Sequence, residues 1–327
     1  AWVFIFYIIT AIVVIIGYDA IHASFKYISY IMGALFLIVT ICALRLPVPE
    51  GFFSLGEFKL GLFLMGVSIP ASWQACYAPY VADYSRYLPK ETKTSHTFWA
   101  TYLGAAIGAS WIMILGCYLA AALPGFYDNQ MGTVASLVPL STIFLLIMLV
   151  LMILSLTLNL YGLFMSITTI LEPFGNFKFG KKTRIIMITV LTLLVSSIGC
   201  FAGDNFWGFY NTFLTIILYF LIPWTSINLV DFYFIRHGHY SVPAMFDPKG
   251  EYGGWNAKTL AIYFLTVLVE IPFVSIQGFY VGPIAQLLDG GEIAWIVGGI
   301  FAAVVYYLAN RNIIIPKDQP ATSKAKA

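Results

Sequence analysis

The sequence predicts an all-α polytopic membrane protein on three observations: its composition, the length of its apolar runs, and the placement of its basic residues. Sixty per cent of the residues are hydrophobic and 10% are charged, with a mean hydropathy of +0.87, whereas soluble domains carry about a quarter charged residues. Apolar runs of roughly twenty residues recur along the chain, the length a helix needs to cross a ~30 Å hydrocarbon core. Of the 17 Lys and Arg residues, all but Arg45 and Lys59 fall in one set of alternate connections. Cytoplasmic connections hold the basic excess, so the C-terminus is expected in the cytoplasm of a cell-membrane protein and Ala1 outside.

Nine spans are expected, near 2–17, 28–44, 60–88, 97–122, 141–171, 185–202, 207–235, 258–281 and 292–310. Turn residues punctuate them in order. Pro47 and Pro49 follow the second span, Pro89 the third and Pro124-Gly125 the fourth. Pro173 with Gly175 and Gly180 follows the fifth, Gly203-Asp204-Asn205 the sixth, and Gly250, Gly253 and Gly254 precede the eighth. Residues 1–311 are thus read as a single transmembrane domain, and the polar stretch 312–327 as a disordered cytoplasmic tail. Ala1 opens directly into an apolar run, so no cleavable signal peptide is expected, and the lack of an initiator Met points to a truncated N-terminus.

Other function classes lack their parts. The net charge is only +2 and the basic residues form short clusters, which argues against a nucleic-acid partner. Cys42, Cys76, Cys117 and Cys200 lie in apolar runs without metal-type spacing and are expected to be small buried hydrophobes. An intramembrane enzyme needs a nucleophile–base pair or a metal triad, and none of His22, His96, His237 and His239 falls mid-span. A channel would need a filter-like segment. No cofactor or metal is expected.

The span at 60–88 differs from its neighbours. Gly66, Pro70 and Pro79 interrupt an apolar run that also carries Trp73, Gln74, Tyr77, Tyr80 and Asp83. Proline removes a backbone donor and clashes with the preceding turn. Freed backbone groups persist at membrane depth only where protein or a watery cavity satisfies them, and broken helices of this kind hold midplane substrate sites. A break between the two prolines is therefore expected, with Trp73 offering a face for stacking and Gln74 a donor and an acceptor. The plain alternative is a proline-kinked helix whose Trp and Gln only pack.

In the span at 141–171, helical spacing puts Ser155 and Asn159 on one face, with Thr157 between them. Asn159 is either a ligand contact or interhelical glue. Glu270 lies inside an apolar run before Pro272, where an ionised acid is costly. It is read as a neutral, bundle-facing structural residue, with a proton relay as the other reading. Asp231 is expected to pair or cap locally, and His237 and His239 to lie in a connection.

These residues resemble a known family. The run from Trp73 to Pro89, WQACYAPYVADYSRYLP, resembles the signature of the first nucleobase:cation symporter family, the purine and cytosine permeases. Asn159-Leu160-Tyr161-Gly162 resembles that family's eighth helix, and Pro223 through Asp231 with Arg236 through Tyr240 the end of its tenth. Gly282-Pro283-Ile284-Ala285-Gln286 fits the approach to its twelfth. The resemblance implies a five-plus-five inverted-repeat fold, like that of the sodium-coupled leucine transporter, of which this chain would hold helices four to twelve of twelve. It implies a monomeric symporter that imports a nucleobase by alternating access, with Trp73 or Tyr77 stacking on the base, Gln74 beside it, and Asn159 pairing with the ring edge.

Sodium-binding relatives carry hydroxyls one to two turns before that amide. Here Ile153 and Leu154 stand there, with Ser155 and Thr157 closer in, so the coupling ion is either Na+ or H+. Cytosine or a purine is the expected substrate, since the tenth-helix segment and Phe246-Asp247-Pro248 look most like that subgroup. A related heterocycle (hydantoin, allantoin or a thiamine-like compound) is the alternative.

Overall fold

The computed structural model describes residues 2–16, 18–54, 56–81, 85, 88–89, 91–171, 180–201, 206–245, 247, 249–276 and 278–313. Asp83, much of the 82–87 signature, and the expected tail from 314 onward lie outside them. The described chain is mostly helical, and each expected span falls on a helix. In order these are α1 (Trp2–Ile16), α2 (Tyr18–Ala43), α3 (Leu60–Tyr77), α4 (Thr94–Ala122), α5 (Gln130–Leu137) and α6 (Ser141–Leu171). Then come α7 (Lys181–Phe201), α8 (Phe206–Val230), α9 (Val242–Met245), α10 (Ala257–Glu270), α11 (Pro283–Leu287) and α12 (Ala294–Asn310). Among the described residues, four helices are long and apolar enough to cross a membrane: Thr94–Ala122, Ser141–Leu171, Lys182–Cys200 and Gly208–Ile235.

Three expectations about helices are corrected. The connection expected at 18–27 is helical and begins α2, because no proline or glycine after Gly17 stops helix propagation there. The segment 130–137, expected as a connection, forms α5, whose N-terminus is capped by Asn129: its Oδ1 accepts the Gly132 N–H at 3.0 Å. The span at 258–281 ends as a helix at Glu270. Pro272 has no N–H to offer the Leu268 carbonyl, so the α-helical ladder stops there, and the chain passes through a 3₁₀ turn (Ile271–Phe273) into a small antiparallel hairpin, β1 (Ser275–Ile276) and β2 (Tyr280–Val281). Gly278, at φ +80°, makes the hairpin turn.

The chain divides into two compact units, Ala1–Ser54 with Pro89–Asn205, and Leu55–Leu88 with Phe206–Ala327. In the first, Val39, Ala43, Leu115, Leu119 and Phe144 bring α2, α4 and α6 together, and Ala11, Val14, Leu160, Phe164 and Ile188 join α1, α6 and α7. Polar ties reinforce the packing: Trp111 Nε1 donates to Thr40 Oγ1 at 3.1 Å, and Arg184 Nη2 donates to the Val14 carbonyl at 2.8 Å. In the second unit, α8 packs on α3, α10 and α12. Ile227, Val230, Ile262, Ala302 and Tyr306 fill one end, and Tyr219, Val274, Ile276 and Ala294 the other. Large apolar side chains such as Ile114, Leu146, Leu194 and Leu268 are exposed on helix surfaces, as expected for helices solvated by lipid. Cys42 and Cys76 are half-buried, but Cys117 and Cys200 are exposed. Their expected burial is corrected, since an apolar helix face in a membrane need not point inward.

Candidate functional site

The α3 helix runs unbroken from Leu60 to Tyr77 with Pro70 inside it, so the expected break between the prolines is corrected. Pro70 withdraws one hydrogen bond, the one the carbonyl of Gly66 would accept, and a single missing bond does not end a helix held on both sides by intact turns. The irregularity comes later, at Pro79, where α3 tightens into a 3₁₀ turn over Ala78–Tyr80. Trp73 and Tyr77 occupy one face, four residues apart. Trp73 is 44% exposed, and Gln74 and Tyr77 are half-buried.

In the other unit, Asn159 of α6 is exposed. Its Nδ2 donates to the Ser155 carbonyl at 3.1 Å, and among the described residues no donor meets its Oδ1. Ser155 shares that face and is exposed. Thr157 does not share it: it is fully buried, and its hydroxyl donates to the Ile153 carbonyl at 2.8 Å.

Two polar cavities lie within the second unit. One, of about 310 Å³, opens between α3, α8 and the hairpin, with Ser68, Ser72, Asn211, Thr215, Ser275 and Glu292 in its wall. Ser68 Oγ accepts from Trp295 Nε1 at 2.9 Å, which ties α3 to the start of α12, and its single hydrogen is shared between the Leu64 carbonyl at 2.9 Å and the Glu292 carbonyl at 3.1 Å. The Glu292 carboxylate is 3% exposed and takes three hydrogen bonds: from the Tyr219 hydroxyl at 2.5 Å, the Ser275 N–H at 2.6 Å and the Ala294 N–H at 2.9 Å. Three donors on one buried carboxylate form a pocket shaped for a negative charge. Sequence reasoning missed Glu292, and the same neighbourhood holds Glu270, which is 1% exposed.

The second cavity, of about 370 Å³, includes Trp224, Asn228, Tyr252 and Tyr263. It is organised around Asp231, which accepts from the Tyr306 hydroxyl at 2.8 Å and the Tyr240 hydroxyl at 2.6 Å and pairs with Arg236 at 3.4 Å. Asp231 opens a π-helical turn, Asp231–Ile235, and its local pairing agrees with expectation. Arg236 also meets Glu251 at 3.2 Å and lies over the Tyr252 ring. Burial, then the hydrogen bond to Asp231, raises the Tyr240 hydroxyl above the ordinary tyrosine range. His237, at φ +50°, and His239 lie in the turn after this helix. A third cavity, apolar and about 230 Å³, lies in the first unit against Phe144 and Leu119. None of the three is lined by Trp73, Gln74, Tyr77 or Asn159.

A model of the family of permeases for cytosine/purines, uracil, thiamine and allantoin matches residues 1–298. The chain belongs to this family. It is 46% identical over 295 residues to the Bacillus subtilis protein named "Putative purine-cytosine permease YxlA", covering 90% of this chain and 64% of that protein. It is 28% identical over 327 residues to the purine-cytosine permease FCY21 of Saccharomyces cerevisiae, covering 92% and 59%. Over 322 residues it is 25% identical to the purine-cytosine permease fcyB of Emericella nidulans, covering 94% and 62%. The chain spans just under two thirds of the length of these relatives, all of which are named permeases and none an enzyme. No solved structure matches this permease-family chain.

Proposed function

We propose that this chain belongs to a secondary transporter that imports a nucleobase, cytosine or a purine, together with a cation by alternating access. The observation that carries the reading is the family match over residues 1–298, and the names of the relatives narrow the substrate class. In this reading the fold is a five-plus-five inverted repeat, the chain holds the family's helices four to twelve, and the protein is a monomer of the cell membrane with its C-terminus in the cytoplasm.

Trp73 stacks on the base, flanked by Gln74 and Tyr77, and Asn159 pairs with its edge. Two features support this. Trp73 is held on a regular helix just before a proline-driven change of geometry, and Asn159 keeps an acceptor that its own helix does not use. Stacking and amide pairing move a planar solute without covalent chemistry.

The cation is Na+ or H+. Ser155 and Thr157 sit on opposite sides of α6, which makes a two-hydroxyl sodium site there hard to build and favours the proton. A second reading, transport of a related heterocycle, draws on the breadth of the family, which includes permeases for thiamine and allantoin. Labelled cytosine uptake by cells producing the intact protein, competed by a panel of bases and heterocycles, tests both readings. Competition by bases supports the first; displacement by allantoin or thiamine alone would replace it with the second. Running the assay with and without sodium, and with a proton uncoupler, identifies the ion.

A further inference from the structure

Glu270 is the last residue of α10, and neither of its carboxyl oxygens has a hydrogen-bond partner among the described residues. Buried to 1% exposure, an ionised carboxylate here would have neither donors nor water, and that is the costliest state a side chain can occupy. The neutral acid is the form this place accepts. Nearby Thr266 offers nothing, because its hydroxyl donates to the Ile262 carbonyl.

The helices packed against α10 are α8 and α12. From α8 the titratable neighbour is Tyr219; from the segment leading into α12 it is Glu292; on α10 itself it is Tyr263. None is a cation that could pair with an ionised Glu270. Across from the carboxyl stands Gly298 of α12, whose missing side chain leaves the room: a Cβ there would lie 1.5 Å from Glu270 Oε1.

The two acids are therefore built for opposite charge states. Glu292, in the wall of the 310 Å³ polar cavity, has the three donors that a negative charge needs. Glu270 has no donor among the described residues, a setting that suits the neutral acid. Tyr219, hydrogen-bonded to Glu292, stands on α8, which packs against the α10 helix that carries Glu270.

We propose that Glu270 is a proton-binding site that couples proton entry to transport, with the Glu292-lined cavity as its access to water; this rests on the transporter reading above. A hydronium ion reaching the cavity gives its proton to the Glu270 carboxylate and leaves as water. In the opposite-facing state, water reaching Glu270 takes that proton back as hydronium. Ionisation of Glu270 puts a negative charge where no donor or pairing cation stands among the described residues, so release requires the α10–α12 contact to admit water.

The test uses the purified intact protein in liposomes, with labelled cytosine as probe and an imposed pH gradient. The unmodified protein is expected to accumulate cytosine when the interior is alkaline, and to exchange it in counterflow. Glu270→Gln, a neutral isostere, is expected to exchange cytosine while its accumulation ratio falls to about 1 and its pH dependence flattens. A Glu270→Gln protein that still accumulates cytosine on the gradient would overturn the proposal, and so would loss of exchange together with accumulation.

Should that variant fail to reach the membrane, the unmodified protein decides the matter. A protonated carboxyl in apolar surroundings adds across one C=N bond of dicyclohexylcarbodiimide, its oxygen bonding to carbon and its proton passing to nitrogen, so mass spectrometry is expected to find the adduct on Glu270 at neutral pH and not on Glu292. The labelling also separates two failures. An adduct without cytosine movement rejects the base-transport reading and keeps the proton site, whereas cytosine movement without an adduct rejects the proton site.

Discussion

Glu270 and Gly298 form a matched pair, a buried carboxyl on α10 resting against the bare α-carbon of α12. A Cβ added at Gly298 would approach Glu270 Cδ to 2.4 Å and Cγ to 2.7 Å, so the whole end of the side chain would have to move. Gly298→Ala is expected to lower stability by about 1–3 kcal/mol, the usual cost of overpacking a tight interior. A lower melting temperature of the detergent-purified protein checks it. Adding Glu270→Ala should recover part of the loss, and additive losses in the double variant would remove the steric explanation.

Tyr219→Phe deletes one of the three donors to Glu292 without changing the packing outline. A hydrogen bond to a charged group is worth about 1.5–3 kcal/mol, so destabilisation in that range is expected from thermal unfolding. The partner variant Glu292→Gln should be affected much less by adding Tyr219→Phe, because the charge that the hydroxyl serves is gone. Equal effects in both backgrounds would show that Tyr219 packs and does no more.

Trp73→Ala and Asn159→Ala are each expected to abolish cytosine uptake at low substrate concentration while membrane expression stays intact. Base–aromatic stacking is worth about 1–3 kcal/mol, which predicts a rise in KM of about 5- to 150-fold for Trp73→Ala, and Trp73→Phe should retain part of the affinity. Unchanged kinetics in both alanine variants would take these residues out of the substrate site.

Pro70→Ala restores the donor missing from the middle of α3. Helix stability should hold or rise, since alanine is favoured over proline by about 3 kcal/mol in a helix interior. If the missing bond to the Gly66 carbonyl is what lets α3 flex between states, uptake slows while cytosine binding, read by protection against heat, is retained. Faster or equal uptake would assign Pro70 no role in the cycle.

Much of this molecule was legible in its sequence, and the misses have physical causes. The start of α6 at Ser141 was read to the residue, because Pro139 stands just before it and the run that follows holds no proline up to Leu171. The end of α10 was misread because an apolar run continues past Pro272, and hydropathy does not distinguish a helix from a buried hairpin. Asn129 carried a legible capping signal for α5 that hydropathy hides. The acid pair was not legible locally: Tyr219 lies 73 residues from Glu292 and Ser275 lies 17 away. Only folding brings those donors together. On α6, spacing put Ser155 and Asn159 on one face, because a 3.6-residue period leaves little freedom, but it was the fold that showed Thr157 turned away and buried.

The division into two units carries a consequence for how the protein is made. The ribosome delivers α3 long before α8 and α12, the helices it packs against: about 130 residues separate Tyr77 from Phe206, roughly 6 to 26 s of synthesis at 5–20 residues per second. For that interval a proline-bearing segment with its serines, Trp73 and Gln74 must wait in the bilayer without α8 and α12. Cells short of insertase or membrane chaperone capacity should therefore lose this protein first at α3, by degradation of the nascent chain before its second half emerges.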